Sequence, residues 1–295
     1  MIKIYPNLLI GEVILNDFVS KIMTRTIITC KPYDSILEVR DIMWKSRLSR
    51  VVISEEQKKA SGIITHKDII KFLINDKSNR SLEEIQANEV MSKNLITASP
   101  DTMISAAARS MISNRISSLI VLNEDDYIEG IITKSDLNLY FAGRGVGIYK
   151  VSDFMTKDPR TVRSSHPIFV VSRIMSEHQI SRIIVTDQET KPVGIITLAD
   201  MASISNLLRP PSSINQGELV LAGGTLILPR GIYLLTARDF MTAHPISIKK
   251  DADLSEAAKL MSRHAISGLP VIDGFNLLVG VITKTDIAKA IASLK

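Results

Sequence analysis

Four short stretches of this 295-residue sequence set the same polar groups behind an apolar run: Gly62-Ile63-Ile64-Thr65-His66-Lys67-Asp68, Gly130-Ile131-Ile132-Thr133-Lys134-Ser135-Asp136, Gly194-Ile195-Ile196-Thr197-Leu198-Ala199-Asp200 and Gly280-Val281-Ile282-Thr283-Lys284-Thr285-Asp286. A threonine that ends a buried strand and starts a helix sets its hydroxyl beside the helix's unpaired N–H groups, an arrangement suited to a phosphate. An aspartate on the next turn adds two acceptor oxygens, enough for both hydroxyls of a ribose. The same Thr-x-x-Asp spacing is also close to a capping box, in which the acid serves only the helix's own N–H groups. Residue type and spacing leave both uses open.

A second layer of residues divides the four stretches into two kinds. Lys134 and Lys284 follow the threonine in the second and fourth, where the first and third have His66 and Leu198. Upstream of each motif stands a serine, Ser49, Ser117, Ser181 or Ser267, and the residue after it is Arg50 or Arg182 in the first and third copies but Ser118 or Gly268 in the others. Arginine holds a phosphate through two parallel charge-assisted hydrogen bonds, which serine and glycine cannot imitate. Arg50 and Arg182 also read as merely solvated strand ends, where a charge contributes little.

The elements that must carry these groups recur in one register. Met23, Met91, Met155 and Met241 each precede a motif glycine by 39 residues, with a second methionine 20 residues on (Met43, Met111, Met175, Met261) and the serine 26 residues on. Self-similarity at fixed period marks a repeat architecture whose units bury apolar faces against one another. In the first unit a short strand is expected at 27–29, then a helix opened by Asp34, Ser35 and Glu38 as a capping box, with Ile36, Val39, Ile42 and Met43 on one face. Two β-branched runs, at 50–53 and 61–65, read as a hairpin with a longer loop, and a helix follows from His66. Trp44 lies beside the apolar stripe as packing. Pro167 suits the first turn of the third unit's long helix, and Asp253 with Glu256 forms the expected capping pair of the fourth.

Each unit is thus β-α-β-β-α with a short helical lead-in at the methionine, an α/β (α+β) fold repeated over 1–75, 84–142, 150–205 and 236–295. Methionine-to-methionine distances of 68, 64 and 86 place an insertion at 206–235, with a hairpin expected at 219–221 and 225–228 turned at Gly223-Gly224. Gly143-Arg144-Gly145-Val146-Gly147 follows a helix instead of a strand and reads as a linker, not a dinucleotide loop.

Composition narrows the function class. A net charge of +5 suits small anionic ligands, while aromatic residues at 5% and the lack of a lysine or arginine cluster argue against nucleic acid as the partner. The single cysteine, Cys30, fits a small buried apolar side chain in a reducing compartment. The apolar run at 219–228 is too short to span a membrane, and the first residues lack a signal-peptide pattern, so a cytoplasmic protein is expected. His66, His166, His178, His244 and His264 fall at no metal-ligand spacing, and neither a Gly-x-Ser-x-Gly elbow nor a Walker loop is present. The expectation is a non-enzymatic protein without metal or catalytic cofactor.

The register of Met-Thr/Ser, amphipathic helix, Ile-Ser and Gly-h-h-Thr-x-x-Asp (h apolar) resembles the cystathionine-β-synthase (CBS) domains, over nearly all of the chain after residue 18; Leu48 stands where the other copies have isoleucine. The resemblance implies four CBS repeats pairing into two pseudo-twofold modules, 1–142 and 150–295, each with up to two clefts for adenine nucleotides or other adenosyl ligands. It implies composite clefts, so that Arg50 and Ser49 face Thr133, Lys134 and Asp136, and Arg182, Ser181 and Ile180 face Thr283, Lys284 and Asp286. Met23 and Met155, with the residue before each serine, offer an apolar slot for adenine. Clefts on Thr65 and Asp68 with Ser117, and on Thr197 and Asp200 with Ser267, lack the arginine and are expected to be weaker, although Lys67 could compensate in the first module. One arginine and one lysine per cleft suit AMP before ADP, ATP or S-adenosylmethionine. The implied role is regulatory: an adenine nucleotide sensed through module geometry and passed to an unidentified protein target, with modules pairing within one chain or between two as a homodimer. A scaffold or nucleic-acid-associated protein without nucleotide sensing is the alternative.

Overall fold

The structure, a computed structural model, describes residues 17–56, 59–76, 78, 80–203, 217–221, 224–228 and 235–294. Repeat one begins with a 3-10 turn at Val19–Lys21 and continues through β1 (Thr29–Cys30), α1 (Ile36–Lys45), β2 (Arg50–Ile53), β3 (Gly62–Thr65) and α2 (His66–Asn75). Repeat two holds α3 (Ala87–Val90), β4 (Thr97–Ala98), α4 (Ile104–Ser113), β5 (Ser118–Leu122), β6 (Ile128–Thr133) and α5 (Lys134–Arg144). Repeat three holds α6 (Val151–Phe154), β7 (Thr156–Lys157), β8 (Thr161–Arg163), α7 (Ile168–Glu177), β9 (Arg182–Thr186), β10 (Pro192–Thr197) and α8 (Leu198–Ser203). After the hairpin β11 (Gly217–Leu221) and β12 (Gly224–Leu228), repeat four holds α9 (Ala237–Phe240), β13 (Thr242–Ala243), β14 (Ile248–Lys249), α10 (Leu254–Arg263), β15 (Gly268–Ile272), β16 (Leu278–Thr283) and α11 (Lys284–Ser293).

In every repeat the strand before the long helix runs parallel to the strand after it, which the intervening helix makes possible, and the latter pairs antiparallel with the strand that follows it. The first strand of repeat one starts at Thr29, later than the apolar run at 27–29 suggests, because Ile27 packs instead into a cluster with Val52, Ile120 and Ile131. Ser35 and Glu38 form the expected capping box. Two other helix starts differ: Pro167 is the N-cap residue ahead of α7, and the Asp253 carboxylate accepts from the Ser255 N–H without help from Glu256. The hairpin is present, but Gly224, expected in the turn, belongs to β12 and pairs with Leu221, while Gly223 lies outside the described residues along with most of 206–235.

The lead-ins change partners. Thr24 bridges to Ile131 of repeat two and Ser92 to Ile63 of repeat one, while β7 adds to β16 and β13 to β10. Each sheet is therefore completed by the lead-in of its neighbour, which ties repeats one with two and three with four. The methionine–glycine register follows from this exchange. A Cβ on Gly130 would lie 2.8 Å from the Met23 sulfur, and one on Gly280 2.8 Å from the Met155 sulfur, so the glycine leaves room for the neighbour's methionine.

Repeats two and four share one continuous apolar core, including Met111, Phe141 and Leu137 on one side and Met261, Ile287 and Ala258 on the other. It forms where α5 lies against α10 and α11, and α4 against α11; repeats one and three meet through α2 and α8. The modules thus pair within one chain. Repeats one and three keep separate cores around Met43 and Ile64 and around Met175 and Ile196. Cys30 lies in the first of these, 3% exposed, and burial, helped by Asp34 and Glu38, pushes its thiol up to about 11. That suits packing over reactivity.

Candidate functional site

Every Thr-x-x-Asp stretch forms the cap its spacing allows. The Oδ2 atoms of Asp68, Asp136, Asp200 and Asp286 accept from the backbone N–H of Thr65, Thr133, Thr197 and Thr283 at 2.8, 2.8, 2.7 and 3.0 Å. The threonine hydroxyls donate to the same oxygens at 2.6–2.7 Å. Capping commits one carboxylate oxygen and leaves the second to be decided by surroundings. In Asp286, only 2% exposed, Oδ1 accepts from Lys289 Nζ at 2.8 Å, so both of its oxygens are engaged. Asp68 Oδ1 lies 3.5 Å from the Ser92 hydroxyl.

A cavity of about 2160 Å³ opens between the two modules. Its lining includes Thr65 and Asp68 with Leu95, Ile116 and Ser117 of the first module, and Thr197 and Asp200 with Ile246, Ile266 and Ser267 of the second. In each module the lining therefore draws a motif from one repeat and the lead-in and serine from its neighbour. Thr133, Asp136, Thr283 and Asp286 are not on this wall, although the lysines that follow the two threonines are. The open clefts are those expected to be weaker, and the reason lies in the arginines.

Arg50 and Arg182 reach across the pseudo-twofold axes. Arg50 Nη1 donates to the Ser117 hydroxyl at 3.0 Å, and its Nη2 to Ser49 at 2.9 Å. Arg182 donates to the Ser267 hydroxyl at 3.0 Å and to the Ser267 carbonyl. Strand register explains the need. Arg50 pairs with Thr65 as Ser118 pairs with Thr133, and Arg182 with Thr197 as Gly268 with Thr283, so the equivalent positions converge in each module. A Cβ on Gly268 would stand 2.1 Å from Arg182 Nη1. Gly268 leaves room for Arg182, and Arg50 reaches Ser117 next to Ser118, so these clefts do not lack a cation. Arg50 also remains within Coulomb reach of both Asp136 and Asp68, and so stands between the two clefts of its module; Arg182 is within reach of Asp286.

The four cations converge. Lys134 Nζ lies 3.1 Å from the Thr285 hydroxyl of the other module, and Lys284 Nζ 3.0 Å from the Ser135 hydroxyl. Burial, then Arg50, pulls Lys134 down to about 8, and burial, then Arg182, does the same to Lys284. Burial also presses Arg50 and Arg182 down to about 10, which leaves both charged at neutral pH. Cations that lower one another's affinity for protons are a seat prepared for an anion.

Among the other expected site residues, Ser49, Ser181, Ile180 and Lys67 line the cavity. Met23 does not: it is 3% exposed and packed in the core beside Gly130, so it cannot offer an adenine slot. Met155 is likewise packed at Gly280, partly buried on the edge of the same core. Ser135, Thr285 and Lys289 on the cavity wall escaped the sequence reading. Lys289 was legible as an acid–base pair at i, i+3 with Asp286 on a helix; the two hydroxyls were not, since only module pairing gives them a lysine.

Among the described residues no helix is long and apolar enough to cross a membrane, and no group of three or more His, Cys, Asp or Glu is placed to hold a metal. The uncharacterized protein MJ1404 of Methanocaldococcus jannaschii is 26% identical over 287 residues, which span 96% of this chain and 64% of that protein. MJ1225 of the same organism is 24% identical over 280 residues, 91% of this chain and 96% of the other. The crystal structure of MJ1225 superimposes with a TM-score of 0.77 at 22% identity, covering 93% of this chain and 99% of that one. A conserved protein of Pyrococcus horikoshii superimposes at 0.62 with 18% identity, covering 93% and 100%. The CBS domain profile matches residues 19–75, 87–143, 151–206 and 237–293, and with four such segments spanning most of its length the chain belongs to the CBS domain family.

Proposed function

We propose that the protein is a regulatory adenine-nucleotide-binding protein, with AMP as the first ligand to test ahead of ADP, ATP and S-adenosylmethionine. The observation that carries this is the cavity in which Arg50, Lys134, Arg182 and Lys284 meet beside two Thr-x-x-Asp helix starts. A ribose would sit on Asp68 or Asp200, its phosphate turned inward to the cations and its base against Leu95 and Ile116 or Ile246 and Ile266. Thr133, Asp136, Thr283 and Asp286 serve this site indirectly, by fixing the helix starts that carry Lys134 and Lys284. Support also comes from MJ1225, which is described as a candidate archaeal homologue of g-AMPK. Regulation follows if the nucleotide binds two module arrangements unequally, since a ligand shifts an equilibrium only by its differential affinity.

Mass spectrometry of small molecules released on denaturing the purified protein identifies the ligand directly. Calorimetric titration of AMP into the wild type and into Arg50→Ala/Arg182→Ala tests the site. A loss of about tenfold or more is expected from removing charge-assisted hydrogen bonds. Unchanged affinity in the double variant overturns the assignment.

A further inference from the structure

Away from the cavity, repeat four holds an aromatic ring out in solvent. Phe275, in the loop between β15 and β16, is 81% exposed, the most of any large apolar side chain among the described residues. The loop is well bonded around it. Asp273 Oδ1 accepts from the Phe275 and Leu277 N–H groups, each at 2.9 Å, and Lys249 Nζ donates to the Asp273 carbonyl at 2.7 Å and to Asn276 Oδ1 at 2.9 Å. The Leu278 N–H donates to the Thr190 carbonyl of repeat three at 3.1 Å. An aromatic side chain on a loop that is already ordered loses little freedom on association, as an interface anchor requires.

A hollow of about 370 Å³ lies at the same end of the same sheet, lined by Met155, Lys157, Asp158, Lys250, Asp251 and Val279. The Lys250 N–H donates to the Ile272 carbonyl where β15 enters the loop, and Lys157 pairs with Gly280, next to Val279 and just past the loop's other end. Met155 and Val279 give the hollow apolar surface, and ammonium groups beside them suit the face of an aromatic ring. With two lysines and two aspartates the lining carries both signs of charge, so it can face a copy of itself without like-charge conflict. Repeat two lacks both features. Its loop has Asp125 in the place of Phe275, and its Tyr127 lies under Lys59, 5.7 Å from Nζ to the ring centroid. Where repeat four has Val279 beside Lys157, repeat two has Glu129, whose Oε1 accepts from Arg25 Nη1 at 2.7 Å.

We infer that this end of repeat four is a docking surface for a second copy of the chain, with Phe275 of each copy entering the Met155–Val279 hollow of the other about a twofold axis. A knob and a hollow on one end of one sheet meet the self-complementarity that a twofold contact demands. Because repeat two carries neither, it offers no second contact of this kind, and assembly stops at two chains. The helices of repeats two and four are already engaged in the shared core, so this surface is separate from module pairing within the chain. The inference is independent of which ligand the cavity takes.

The test is sedimentation equilibrium of the full chain across the micromolar range, for the wild type, Phe275→Ser and Val279→Glu. The wild type is expected to show a concentration-dependent monomer–dimer equilibrium. Phe275→Ser removes both anchors of the dimer at once and is expected to weaken it about a hundredfold or more. Val279→Glu beside Lys157 imitates the Arg25–Glu129 pair of repeat two and closes the hollow, with a similar loss expected. Mixing the two variants brings an intact knob to an intact hollow, so one of two contacts returns. A heterodimer tighter than either variant's own dimer is the expected result. A wild type that stays monomeric overturns the inference and leaves the surface to a different protein. A dimer that both variants leave unchanged, or a mixture that associates no better than its components, overturns it equally. Circular dichroism checks the fold of each variant; if Val279→Glu does not fold, the exposed Phe275→Ser decides alone.

Discussion

At the scale of single residues, the site is a conflict between charge and space. Gly268 settles the space. Gly268→Ala places a methyl group 2.1 Å from Arg182 Nη1, the far end of a flexible side chain that can swing away. Stability is expected to change by less than about 1 kcal/mol, whereas nucleotide affinity falls about tenfold because the displaced guanidinium leaves Ser267. Thermal unfolding and calorimetry on one preparation separate the two effects; a large drop in Tm with intact affinity contradicts this role for the glycine. Lys134 and Lys284 carry the charge. Below about pH 8 the folded and unfolded chains both hold these protons, and the folded state bears the full cost of crowding the lysines with Arg50, Arg182 and, at Lys134, Lys289. Between about 8 and the ordinary value of 10.5 the folded lysines release protons that the unfolded chain retains, so their share of stability rises with pH. Lys134→Met/Lys284→Met is therefore expected to stabilise the free protein by about 1–3 kcal/mol at pH 7 and to weaken ATP binding at least tenfold. An anion restores the lost protons, so binding at pH 8 takes up protons. Buffers of different ionisation enthalpy reveal this as a buffer-dependent heat, and a heat independent of buffer excludes it.

At the scale of elements, the exchange of lead-ins makes a prediction that the linear order of the chain would reverse. Met23 lies against Gly130 of the neighbouring repeat, with Thr24 O 3.0 Å from the position of a Cβ there. Gly130→Ala meets backbone as well as sulfur and is expected to cost about 1–3 kcal/mol. In a double-mutant cycle Met23→Ala should couple to Gly130→Ala and be additive with Gly62→Ala, whose own neighbour is Met91, 2.4 Å from the Cβ position. Coupling of Met23 to Gly62 instead would contradict the exchange. The repeat register, the helix caps and the β-branched strands were legible in the residues, because propensity and apolar period act within one repeat. Which repeat a methionine serves was not, since a spacing held through four copies fits a contact inside a unit as well as one between units. The arginine alternation was legible as a pattern and misleading as a contact. Ser118 and Gly268 look like missing cations in one dimension, but in three an arginine of the partner repeat bonds the serine beside each, and Gly268 is the clearance for Arg182.

At the scale of the whole molecule, the two ends of the module pair are unequal. Repeats two and four share one core, whereas the cores of repeats one and three are separate, with the cavity opening between them. Asn138 sits in the shared region, 0% exposed, and its Nδ2 donates to the Ala258 carbonyl at 2.9 Å and the Ser262 hydroxyl at 2.8 Å. Its Oδ1 has no partner among the described residues, so Asn138→Asp would bury a carboxylate beside a carbonyl. A loss of about 3 kcal/mol or more is expected at pH 8, shrinking toward pH 4 as the acid is neutralised. Opening free energies follow buried apolar contact, so amides of α5, α10, α4 and α11 should exchange most slowly and at the global free energy. Those of α1, α2, α7 and α8 should open first, in sub-global events. Saturating nucleotide should slow exchange most in repeats one and three, because the cavity-lining Asp68 and Asp200 belong to them, and little in the shared core that is already at its limit. Hydrogen exchange followed by mass spectrometry reads this directly. Equal protection of all four repeats in the free protein, or nucleotide protection confined to α5 and α11, would mean that the cavity is not where the modules yield.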